Sequence, residues 1–119
     1  MNSNIVFLII DSFRADKFFG TNSTSKKPNI DHLIKNGTYF SQTIASADAT
    51  ILTWSSIYTG KFPFKTGIRS ERFSKLDKDI MTIFDYLKKF GYSFYSFIPS
   101  FSETIGLFPK FKNENNLYD

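Results

Sequence analysis

Ile5-Val6-Phe7-Leu8-Ile9-Ile10, followed at once by Asp11, is the stretch on which the fold reading turns. Its residues are all apolar, mostly β-branched or aromatic, and are bounded by the polar Asn4 and Asp11. Unbroken apolar character over this length, rather than alternation, predicts a strand buried on both faces, as in a parallel sheet. Ligands of open α/β sheets bind beyond the carboxyl ends of strands, so Asp11 is a candidate site residue by position alone. The run is too short to cross a bilayer and lacks the basic start and cleavage site of a signal peptide. The default expectation is therefore a cytoplasmic chain with no membrane partner.

Working outward, residues 20–27 read as a polar loop, and Pro28 suits the first turn of a helix that Gly37 closes. Residues 38–45 have the composition of a weak strand, with Tyr39, Phe40 and Ile44 as the buried positions. Asp48-Ala49-Thr50 leads into a helix over residues 51–58 ended by Gly60, which leaves Thr50 at the helix's amino end. Residues 61–78 are loop-like. From Asp79 to Phe90 the apolar residues Ile80, Ile83, Phe84, Leu87 and Phe90 mark a helical stripe, with Lys88 and Lys89 near its carboxyl end and Gly91 as its stop. Residues 92–98 read as a second buried strand, broken by Pro99. Strand, helix, weak strand, helix, helix, strand is an order that requires crossover connections. The fold class that follows is α/β, a parallel sheet with flanking helices.

The chain has 119 residues, enough for one globular domain, and residues 1–119 are taken as one. Apolar residues make up 41% and charged residues 22%, a balance that argues against disorder. The formal net charge is +4, but basic residues are interleaved with acidic ones through Arg69, Glu71, Arg72, Lys75, Asp77, Lys78 and Asp79. A nucleic-acid binder concentrates its Lys and Arg on one face, and the only tight pairs are Lys26-Lys27 and Lys88-Lys89, so no nucleic-acid partner is expected. The chain has no cysteine, which excludes disulfides and thiolate metal sites. Asn22-Ser23-Thr24 and Asn36-Gly37-Thr38 match the glycosylation pattern by chance in a chain without a secretion signal.

The stretch from Asn4 to Asp16, with Asp11, Arg14 and Asp16 spaced as D-x-x-R-x-D, resembles the first strand and turn of the sulfatase family in the alkaline phosphatase superfamily. Lys27-Pro28-Asn29-Ile30-Asp31 resembles the start of that family's next helix, and Gly37-Thr38-Tyr39-Phe40 its exit. The block from Thr50 to Gly60 is similar to the nucleophile block in spacing. Phe62-Pro63-Phe64-Lys65-Thr66-Gly67-Ile68 resembles the segment after it, and the stretch from Thr82 to Tyr92 the following helix with its Gly-Tyr exit. Any one block is weak; together, in order and at family spacing, they cover nearly the whole chain.

The resemblance implies a partial alkaline-phosphatase-like parallel sheet with flanking helices, an incomplete three-layer sandwich, and a sulfatase-like hydrolase acting on small-molecule sulfate or phosphate esters. Such esters resist attack because their oxygens carry negative charge, which a bound dication screens while it activates the nucleophile. On this reading Asp11 is a metal ligand, and Thr50 is the nucleophile and also touches the metal. Hard oxygen ligands suit Ca, Mg or Mn, and His ligands from a later half of the chain would favour Zn. Formylglycine forms from Cys or Ser, so Thr50 points to a metal-activated threonine, as in related phosphodiesterases and transferases. Ser12 replaces the second Asp of the sulfatase pair. Leu52 and Trp54 stand at the Pro and Arg or His positions, and Ile98-Pro99 replaces a Gly-Lys.

The remaining metal ligands of the family come from a later part of a longer chain. The expectation is a truncated chain with an incomplete metal site, inactive alone, partnered by a missing carboxyl-terminal half. The alternative is a non-catalytic remnant, or a subunit that binds a partner through an open sheet edge. Blander roles stand beside these: Asp11 as a turn former, Thr50 as a helix N-cap, Arg14 and Asp16 as a local ion pair, His32 as a surface residue, and Trp54 as packing.

Overall fold

The computed structural model describes residues 3–21, 23–70, 74–98, 105–109 and 111–113. These fall into two compact units, residues 1–43 and 44–119. The helices are α1 (Ala15–Phe18), α2 (Pro28–Asn36), α3 (Thr50–Thr59) and α4 (Ile83–Lys89), with a 3-10 turn at Pro63–Lys65 between the last two.

The first unit holds α1 and α2. Pro28 opens α2 from the position where its missing N–H costs nothing, and the Lys27 ammonium reaches Asp31 at 2.6 Å one turn on. Phe13, Phe18 and Phe19 cluster, with the first two ring centres 3.9 Å apart, and Phe19 meets Tyr39 at 5.2 Å. Among the described residues of this unit, none is buried.

The second unit carries the core, built from Ile51, Tyr58, Ile68, Ile105, Leu107 and Phe111. Gly60 ends α3 in the left-handed region at φ 67°, where its N–H donates to the Ser56 carbonyl. Below α3, the buried Thr66 hydroxyl donates to the Pro63 carbonyl at 2.7 Å, and the Ser55 hydroxyl donates to the Leu52 carbonyl at 2.7 Å. Phe108 is the hub of a ring cluster, edge-on to Trp54 and Tyr58 and also against Phe84 and Phe111. A capping box starts α4: the Thr82 hydroxyl accepts from the Asp85 N–H, and the Asp85 carboxylate accepts from the Thr82 N–H.

The expected parallel α/β sheet is overturned: the described residues contain no strand. A strand is defined by its hydrogen-bonded neighbour, and composition supplies only the tendency to extend. Residues 5–10, expected to be buried on both faces, are largely exposed, Val6 at 92% and Leu8 at 75%. The weak strand over residues 38–45 is also absent, and Tyr39, Phe40 and Ile44 face solvent rather than a core. Residues 92–98 do show period-2 burial, with Tyr92, Phe94, Ser96 and Ile98 half-buried and the residues between them exposed. Their neighbour is the segment around Asn113, whose side-chain amide accepts from the Ser96 N–H and donates to the Ser96 carbonyl, while the Lys112 N–H donates to the Phe94 carbonyl. A side-chain amide there occupies the place of a second backbone. Pro99, Asn22, Glu71, Arg72 and residues 114–119 lie outside the described residues.

Candidate functional site

Asp11 is exposed and stands in a turn with Ser12. Because residues 5–10 form no strand, Asp11 is not at a strand's tip, and the topological reason for singling it out is gone. Ser12 adopts φ 55°, the only positive φ outside glycine among the described residues. A non-glycine residue in that region carries about 1–3 kcal/mol of backbone strain. No feature of the sequence around Ser12 predicted it. Just beyond, the Arg14 guanidinium grips Asp16 through two bonds of 2.9 and 2.8 Å. This fork holds the Asp16 carboxyl below the usual carboxylate range, chiefly through the hydrogen bonds from Arg14. The pair thus shapes the entry to α1, the structural role expected for it.

Thr50 is the first residue of α3 and is half-buried. The N-cap is the preceding Ala49, extended at φ −127° and ψ 145°, and it has no side chain with which to cap. The bland reading of Thr50 as the N-cap is therefore displaced by one residue. Thr53 pins the entry to the helix: its hydroxyl donates to the Ala47 carbonyl at 3.1 Å and its N–H to the Ala49 carbonyl at 3.0 Å. Helical geometry leaves the amides of Ile51 and Leu52 without an intrahelical acceptor, pointing out of the helix beside Thr50. These amides and the helix dipole favour negative charge at that end.

Asp11 belongs to the first unit and Thr50 to the second. Trp54, at the position where the family resemblance leads one to expect a cation, is engaged edge-on with Phe108 at 5.8 Å. His32 is exposed on α2, where its carbonyl accepts from the Asn36 side chain at 2.8 Å. Among the described residues, no group of three or more His, Cys, Asp or Glu is gathered in a way that would hold a metal ion. The described residues therefore do not by themselves fit a dication site, for which one carboxylate and one hydroxyl are too few ligands.

A family model described as Sulfatase matches residues 3–117, nearly the full length, which defines the chain as sulfatase-like hydrolase in kind. It belongs to the sulfatase family, whose members are generally metal-dependent. No curated protein and no solved structure matches the chain. Among the described residues no helix is long and apolar enough to cross a membrane.

Proposed function

We propose that this chain carries the nucleophile of an enzyme that hydrolyses a small-molecule sulfate or phosphate ester, with Thr50 as that nucleophile and Asp11 as one metal ligand. The family match over residues 3–117 is the observation that carries the reading. The local setting of Thr50 supports it, since a hydroxyl at the first position of a ten-residue helix lies beside outward-pointing amides.

In the proposed reaction the Thr50 oxygen forms a bond to sulfur or phosphorus as the bond to the leaving ester oxygen breaks. The Thr50 proton ends on the departing alcohol, and water then cleaves the covalent ester to restore the hydroxyl. The Ile51 and Leu52 amides hold a non-bridging oxygen during both steps. A divalent metal, when bound, screens the charge on the ester. Calcium, magnesium and manganese suit the carboxylate of Asp11, and zinc would require histidine ligands beyond the described residues. Those further ligands come, on this proposal, from polypeptide outside this chain.

A second reading has its own observation. Trp54 is committed to packing on Phe108, so the position that resembles the family's substrate-side cation carries none. A chain lacking that cation is, on this alternative, a non-catalytic member that serves a partner.

Hydrolysis of p-nitrophenyl sulfate and p-nitrophenyl phosphate by the chain together with the polypeptide proposed to supply the remaining ligands decides between them. Thr50→Ala is expected to lower the rate by about 10³-fold or more. Asp11→Asn is expected to raise the metal concentration needed for half-maximal rate by about tenfold or more. Full activity in Thr50→Ala refutes the nucleophile, and inactivity of the unaltered protein with each of the four metals establishes the non-catalytic reading.

A further inference from the structure

Beside the capping box of α4, the second unit carries an open cleft of about 820 Å³ whose lining includes neither Thr50 nor Asp11. Ligand pockets commonly measure about 300–1,000 Å³. Ile80, Met81, Leu107 and Phe108 give the cleft an apolar floor. Leu107 is completely buried and ties the cleft to the core, so Ile80, Met81 and Phe108 are the residues that present accessible apolar surface.

Lys78, Lys88 and Lys89 also line this cleft, with Asp77 and Asp85 as the acidic residues. The Asp85 carboxylate is turned toward Thr82. One oxygen of Asp85 accepts from both the N–H and the hydroxyl of Thr82, at 2.7 and 2.8 Å. The Asp77 carboxylate lies against Gly67, in space that a side chain there would fill. The ammonium groups are differently placed. Neither ion pair found among the described residues involves these lysines. Lys89 rests on soft partners, the Met81 sulfur at 3.9 Å and the Tyr86 ring centre at 5.5 Å, neither of which neutralises its charge.

We propose that this cleft binds an amphipathic anion, a singly charged head held by Lys78, Lys88 and Lys89 with a short alkyl or aryl tail on the floor. Charge complementarity selects this ligand class: the lining has three lysines against two carboxylates, and the Asp85 carboxylate is engaged by Thr82. A neutral amphiphile gains only the floor. An inorganic anion gains only exposed lysines, whose attraction water and salt screen heavily. Both halves in one molecule bind appreciably because the head is fixed by the same event that buries the tail. The sequence shows the Lys88-Lys89 pair but not the floor, because Leu107 and Phe108 are brought to α4 from a distant segment.

Calorimetric titration of the full chain with octyl sulfate below its micellar concentration tests the proposal, beside inorganic sulfate and octyl glucoside. One octyl sulfate per chain is expected, bound at least about tenfold more tightly than either control. The Lys88→Gln/Lys89→Gln double variant is expected to bind octyl sulfate no better than octyl glucoside. Equal binding of the two amphiphiles by the unaltered chain, or many weak sites indifferent to the double variant, overturns it. Should the double variant fail to fold, the Met81 methyl resonance of the unaltered chain decides: it shifts on octyl sulfate addition if the cleft is filled and stays in place if it is not.

Discussion

Thr50 sits one residue inside α3, with Ala49 as the cap, so its hydroxyl is not at the N-cap position. Alanine also favours helix more than threonine does. Thr50→Ala should cost no more than about 1–2 kcal/mol in denaturant unfolding, which leaves a folded protein in which the loss of hydrolysis is read. Gly67 is a contrasting case. Its φ of 83° strains any side chain there, and a Cβ would also displace the Asp77 carboxylate. Gly67→Ala should lower stability by about 1–3 kcal/mol, and a smaller change in unfolding midpoint would show that the 66–77 contact is not formed in solution. Of the two candidate site residues, Thr50's place at a helix start was legible because such a start is written locally, in Asp48-Ala49-Thr50 and the apolar residues after it. Asp11 was legible only as a family position; the strand tip that was to present it does not form.

At the scale of elements, α2 and α3 were readable nearly to the residue because Pro28 and Gly60 act on their own backbone. The start of α4 was misplaced at Asp79 because apolar spacing extends back to Ile80, whereas the Thr82–Asp85 capping box sets the true start at Ile83. Thr82→Ala should cost about 1 kcal/mol and fray α4, read as lower helicity in circular dichroism; an unchanged spectrum and midpoint would show that the box is dispensable. At the other end, Gly91 closes α4 with its own N–H on the Lys88 carbonyl and the Tyr92 N–H on the Leu87 carbonyl. Strands were misread for a reason that local sequence does not repair. Residues 5–10 and 92–98 have strand composition, but pairing is decided by segments far away in the chain, and near Ser96 the partner is an Asn113 side chain.

Across the whole molecule, burial is uneven: every buried residue among those described lies in the second unit. Amides of α2 should exchange with deuterium faster than those of α3, and equal protection would contradict this division. Tyr58 adds a pH dependence to the second unit. Burial pushes its phenol up to about 12, from an ordinary value of 10.0. A raised folded value means that the stabilisation is intact below pH 10 and is lost as pH rises through about 12. Tyr58→Phe should flatten the fall in unfolding midpoint over that window, and an identical slope in both proteins would place the phenol in water.

Covalent catalysis by Thr50 calls above all for acid quenching of the chain, supplied with the polypeptide proposed to hold the remaining metal ligands, during hydrolysis of p-nitrophenyl phosphate, followed by mass spectrometry of the Thr50 peptide. A phosphoryl group on Thr50, absent without substrate and absent in Thr50→Ala, is the predicted result. Turnover with that peptide unmodified, and with Thr50→Ala equally active, would contradict it.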